Sequence, residues 1–281
     1  APPVTVNVSE FFIGINEVTK GLWDEVRTWG LANGYTDLAV GEGREANHPA
    51  QTISWWDAVK WCNARSQKEG LTPVYTVSSA VMKTGTTVPV ADWTASGYRL
   101  PTEAEWEKAA RGGVNGKRFP WGTDTISHSE ANYMASADYP YDLSVGANFH
   151  PKYATGDFLY TSRVGSFAAN GYGLYDMAGN VGEWCWDMYG ASTYVNGATD
   201  PQGASLSTTQ VIRGGAWLLD ADACRAAVRS SVGPSGRYSF FGFRVARSSA
   251  ERPPAAPVFS STSGDYPSPL TVTITSPDGV G

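Results

Sequence analysis

No run of eighteen apolar residues occurs in this chain of 281, so no segment is long enough to cross a bilayer as a helix. Basic residues do not predominate: 21 Lys and Arg stand against 27 Asp and Glu, a formal charge of −6. That balance disfavours nucleic acid as a partner, because phosphate binding needs a basic face. Histidine is scarce. His48, His128 and His150 are scattered and read as surface residues, so neither a zinc nor a non-haem iron centre is expected. Cysteine is equally scarce: Cys62, Cys185 and Cys224 cannot all pair within one chain, and their spacing has no metal-site rhythm. No signal peptide is visible, and Ala1-Pro2-Pro3 reads as a trimmed or mature start.

What the chain has is tryptophan and glycine, 11 and 31 of them. Large aromatics fill a core that contains little regular structure, and glycines let the backbone bend around them. With 42% hydrophobic and 17% charged residues and a mean hydropathy of −0.27, the composition is globular and the length suits one large domain or two ordinary ones.

Val4–Val18 alternates weakly and reads as one or two strands. Thr19 is placed to cap a helix running to about Gly30, with Leu22, Trp23, Val26 and Trp29 as its apolar stripe. Ser54 caps a second, about Trp55–Glu69, and Gly70 stops it. Thr72–Trp93 is rich in Val, Thr and Tyr and reads as a hairpin turning at Gly85. Thr102 with Glu105 three residues on forms a capping box for a third helix ending at Gly112-Gly113. Its Glu103, Glu105 and Glu107 are explained by caps and a solvated face rather than by catalysis. From Phe119 to Arg163 no period survives, and an irregular stretch of that length is usually functional or ion-stabilised. Short strands are expected at Val211–Gly215, Ala226–Val232 and Gly242–Arg247.

Two segments organise the rest: Asn170–Asp187 and Val211–Arg229. The first packs glycines, aromatics and oxygen ligands together with neither helical nor strand period, so backbone ladders alone are not expected to hold it. A hard cation is one candidate brace, since Asp176 and Glu183 offer carboxylates and Ca²⁺ takes six to eight oxygens. The spacing is not the EF-hand pattern, and by itself it fits a glycine-rich turn with solvated acids better.

Five segments in order resemble one family: Glu17-Val18-Thr19 with the following Trp23; Arg99–Glu107; Phe119-Pro120-Trp121-Gly122; Asn170–Trp184; and Arg213–Trp217 followed by Arg225–Arg229 and Gly242–Arg244. Together they resemble the formylglycine-generating enzyme, or sulfatase-modifying factor, domain. The resemblance implies a single compact α+β domain over residues 1–248, with little regular secondary structure, related to the C-type lectin fold and stiffened by structural Ca²⁺. It puts one calcium site on the side chains of Asp176 and Glu183 and the carbonyls of Gly179 and Val181, reversing the preference for a plain turn. A second site would use Asn132, the Tyr133 carbonyl and Asp157, the last being one residue out of register.

The family's enzymes oxidise a sulfatase cysteine using O₂ and a copper ion held by two cysteines, and thiolates are the soft ligands Cu(I) selects. Here the first of those positions falls on Leu219, and Cys224 stands at the second or at a non-ligand position nearby. Ala216 replaces the family's serine, and Gly182 replaces its tryptophan, opening the pocket wall. No catalytic residue is therefore assigned, copper is disfavoured, and Cys185 and Cys224 are expected to form a disulfide in an oxidising compartment. The expected activity is a calcium-stabilised recognition or accessory module. Its ligand, a peptide or a carbohydrate, would lie in a groove lined by Arg213, Trp217, Arg229 and the aromatics of 172–186. The alternative is a copper-dependent oxidase acting on sulfatase cysteines.

Residues 249–257 form a Pro-rich linker. Residues 258–281 alternate again and resemble the start of a chitobiase/hexosaminidase C-terminal repeat, a truncated β-rich segment. Such modules accompany exported carbohydrate-active proteins, which implies an extracellular, periplasmic or cell-surface location.

Overall fold

The computed structural model describes residues 4–249 except 145, 147, 157, 158 and 191–193. The expected linker and β-rich segment lie outside the described residues, apart from Ser249.

Three helices begin where a side-chain oxygen follows a break in apolar periodicity. Thr19 accepts from the Leu22 amide and opens α1, Lys20–Ala32. Ser54 and Asp57 exchange hydrogen bonds to open α2, Trp55–Lys68. Thr102 and Glu105 do the same for α3, Glu103–Arg111, which Gly112 ends in a left-handed conformation. Such caps satisfy amides that lack a partner in the first turn. Among the described residues no helix is long and apolar enough to cross a membrane.

The strands are short. β1 (Phe11–Ile13) pairs antiparallel with β9 (Ala246–Ser248), closing the two ends of the described chain together. β2 (Tyr75–Val77), β3 (Ala80–Val81) and β4 (Val90–Ala91) make a small sheet. Its first turn falls at Ser78-Ser79, both with positive φ, and not at the expected Gly85. The main sheet is β7-β6-β5-β8, built from β5 (Gly182–Met188), β6 (Gln210–Arg213), β7 (Ser230–Val232) and β8 (Phe241–Gly242). β5 lies antiparallel to β6 and parallel to β8.

The end of the 170–187 segment is thus a central strand, which corrects its reading as wholly irregular. β5 is buried on both faces over most of its length. Two-sided burial removes the alternation by which a strand is read from sequence.

Tryptophans tie the sheet to the helices. Trp23 and Trp61 stack with centroids 5.8 Å apart, and Phe243 meets both edge-on. The Trp184 indole donates to Ile53 O, and the Trp55 indole donates to Cys185 O. A second apolar cluster gathers Trp106, Phe11 and Val211 around α3, and a third gathers Phe119, Ile126 and Tyr133 under the long 119–163 stretch.

Candidate functional site

The turn entering β5 coils through left-handed residues: Asp176 (φ 54°), Gly179 (φ 76°) and Asn180 (φ 60°). At Gly179 a Cβ would overlap the Asn132 carbonyl, so glycine alone fits. This coil packs against the strand-to-helix connection at 15–17, and four charged side chains meet there. Asp176 Oδ2 accepts from the Gly165 amide at 2.6 Å. Its Oδ1 is buried without a hydrogen-bond partner. Glu17, 2% exposed, accepts from the Val181 amide (3.1 Å) and from Asn180 Nδ2 (2.6 Å). Glu183 is gripped by the Arg244 fork at 2.6 and 2.7 Å and by the Trp106 indole at 2.7 Å.

Three carboxylates thus share one guanidinium in a buried place. Burial, then Asp176 and Glu183, push the Glu17 carboxyl well above its usual range. Burial first, with Glu183 adding to it, raises Asp176 to about 6. Unmatched buried anions are costly, by several kcal/mol per ion as an order of magnitude. A proton or a cation relieves that cost, and a hard divalent ion suits carboxylate and amide oxygens. The orphaned Asp176 Oδ1 and the excess of negative charge make this donor set fit Ca²⁺. Among the described residues no three His, Cys, Asp or Glu side chains form a metal cluster on their own, so such a shell would draw on carbonyl or amide oxygens as well. Asp176 also lines a depression with Trp121, Glu130, Asn170 and Met177.

Glu17 carries no ligand signal in sequence. It lies 164 positions before Val181, and only the fold brings the two together. For the second expected site, Asn132 Nδ2 donates to Tyr160 O at 2.8 Å, and the Tyr133 carbonyl meets His128 Nε2 at 3.1 Å. Asp157 lies outside the described residues. Two of the histidines are not surface residues: His48 and His150 are buried, while His128 is partly exposed with its ring 4.7 Å from that of His150.

The expected ligand groove is not open. Arg213 is 1% exposed; it pairs with Glu107 at 2.5 Å, bonds Ala226 O and Val228 O, and lies over the Trp106 ring. Arg229 forks Glu103 at 2.6 and 2.7 Å, so Glu103 sits in an ion network and not on a solvated face. Trp217 and Ala216 are fully buried. A Cβ at Gly182 would fall 2.9 Å from both Ile212 and Phe241. Those side chains fill the space of the missing tryptophan, so Gly182 closes the wall instead of opening it.

The Cys185–Cys224 disulfide is also corrected: all three cysteines are free and buried. They belong to three different apolar clusters, Cys62 in the first, Cys185 in the second and Cys224 in the third. Burial raises each thiol's pKa, the reverse of what a thiolate ligand needs. Leu219 is partly exposed and spends its backbone on Met134 and Ala216.

Beside that loop three rings reach partly into solvent: Trp121, which stacks on the buried Phe119 at 5.3 Å, and Tyr139 and Tyr141, which stack at 5.5 Å. The tyrosine hydroxyls donate to Asp220 (3.1 Å) and Asp222 (2.9 Å), and Arg225 pairs with Asp222. Such a platform of rings edged by acids and one guanidinium can stack against an apolar face and accept hydrogen bonds at its rim.

Comparison with known proteins agrees with this architecture. The chain is 32% identical over 266 residues to the chaperone protein LppX of Paenibacillus barcinonensis, covering 86% of this chain and 82% of that one. It is 33% identical over 209 residues to the formylglycine-generating enzyme of Thermomonospora curvata, covering 71% of this chain and 55% of the enzyme. The chain therefore spans about half the length of that enzyme. The solved structure of Treponema denticola variable protein 1 superposes with a TM-score of 0.66 at 30% identity, over 88% of this chain and 87% of that one. Residues 1–249 match the sulfatase-modifying factor enzyme 1-like domain, and the chain belongs to that family.

Proposed function

We propose that this member of the family is a calcium-braced recognition or accessory module, working outside the cytoplasm without formylglycine-generating activity. The supporting observation is the dispersal of the thiols: Cys62, Cys185 and Cys224 sit in separate cores, and Leu219 has no lone pair to offer a soft metal. A calcium ion, when bound, supplies charge neutralisation and a cross-link. Asp176 and Glu17 are the residues to hold it, with Glu183 fixed behind them by Arg244. The ligand, a peptide or a carbohydrate, would meet the platform of Tyr139, Tyr141, Asp220 and Asp222 in place of the closed groove. A relative named as a chaperone is compatible with docking on another protein. The exported location rests on the resemblance of the 258–281 tail.

The oxidase reading draws on the 33% identity to a formylglycine-generating enzyme. A Cu(I) titration against a competing chelator separates the two. The module binds no copper stoichiometrically, whereas tight one-to-one binding would overturn this reading in favour of the oxidase.

A further inference from the structure

The Asp176 oxygen is not the only orphan in this part of the molecule. Asn16 Oδ1 is also buried without a hydrogen-bond partner. The two residues leave a shared hydrogen bond, from the Tyr175 amide to Ile15 O at 2.9 Å, one position further along each strand of chain. Both then turn toward Gly165. Its amide donates to Asp176 Oδ2, and a Cβ placed on it would lie 3.5 Å from Asn16 Oδ1. Gly165, with a φ of +73°, thus puts its amide on the Asp176 carboxylate and its bare Cα beside Asn16 Oδ1, where a Cβ would touch that oxygen and the Tyr175 ring.

We propose that Asn16 supplies its side-chain oxygen to the cation held by Asp176. This rests on the calcium reading above. Two acceptors without donors, one on Asn16 and one on Asp176, in a group where Asp176, Glu17 and Glu183 share one arginine, mark a place for a positive charge. A neutral amide oxygen suits that role. It adds to the coordination number without adding to the repulsion among Glu17, Asp176 and Glu183, and Ca²⁺ takes more oxygens than the octahedral Mg²⁺. A water could donate to both orphans but would leave the charge unbalanced.

The test is calorimetric calcium titration of wild type, Asn16→Leu and Asn16→Asp, with thermal melts of each in EGTA. Asn16→Leu is expected to bind calcium at least about tenfold more weakly, and Asn16→Asp at least as tightly as wild type. In EGTA the Asn16→Leu protein should melt no lower than wild type, because the orphaned amide is gone and no ligand has been lost. Wild-type affinity in Asn16→Leu overturns the assignment and leaves the calcium reading standing. A lower melting point of Asn16→Leu in EGTA also overturns it, since that marks a structural role. A wild type that binds no calcium overturns both.

Discussion

Asp176 and Glu183 are both buried acids of one segment, yet their partners give them different work. Glu183 has both oxygens on Arg244, whereas Asp176 has one oxygen with no partner. Glu183→Gln breaks a buried ion pair, so it should cost about 3–5 kcal/mol in calcium and in EGTA alike, measured by chemical denaturation. Asp176→Ala should lower the melting point only when calcium is present. The pH response separates the same states. Asp176 titrates near 6 in the folded protein without metal, raised by burial, and nearer 3.9 unfolded. The folded state therefore holds more protons between those values. Its contribution to stability is complete below the unfolded pKa and is lost as pH rises toward about 6. In EGTA the melting point should accordingly rise as pH falls from 7 to about 5 through this group. With calcium the proton competes for the same oxygens, so affinity should fall on acidification. Sequence shows Asp176 and Glu183 as candidates but is silent on Glu17 and Asn16, because a shell assembled from segments more than 150 residues apart leaves no local spacing to read.

The helices were legible because each start is written in one or two residues. Thr19, Ser54 and Thr102 cap as their positions suggest. The cap of α3 can be tested alone: Thr102→Ala should cost about 1 kcal/mol with the fold unchanged, read from the shift in denaturation midpoint. β5 was not legible. Its register places Glu183 beside Arg213 and Trp184 beside Ile212, and burial of both faces erases alternation. Gly182 misled for a related reason. The loss of a large side chain in sequence suggests a hole, but Phe241 and Ile212 occupy the space, as close packing requires. Of the acids of α3, Glu105 is the cap its position suggests, but Glu103 and Glu107 read as a solvated face because their partners, Arg213 and Arg229, come from β6 and from the residue before β7.

Across the described residues as a whole, long irregular connections are laid over three apolar clusters, and the two ends of the described chain are joined through β1 and β9. The ordered set of motifs made this fold class readable. The assignment of the cysteines was not, since one-dimensional spacing does not reveal that three thiols sit in three cores. Because an ion bound only by the native state stabilises it by mass action, the brace should show in the global transition. The most direct measurement is the melting temperature of the wild-type protein in excess calcium and in excess EGTA. At calcium about a hundredfold above its dissociation constant the gain is roughly 2.7 kcal/mol, or about 5–10 °C for a domain of this size. A fall of that order on chelation is the predicted result, and a melting temperature unchanged by EGTA would contradict a calcium-braced scaffold.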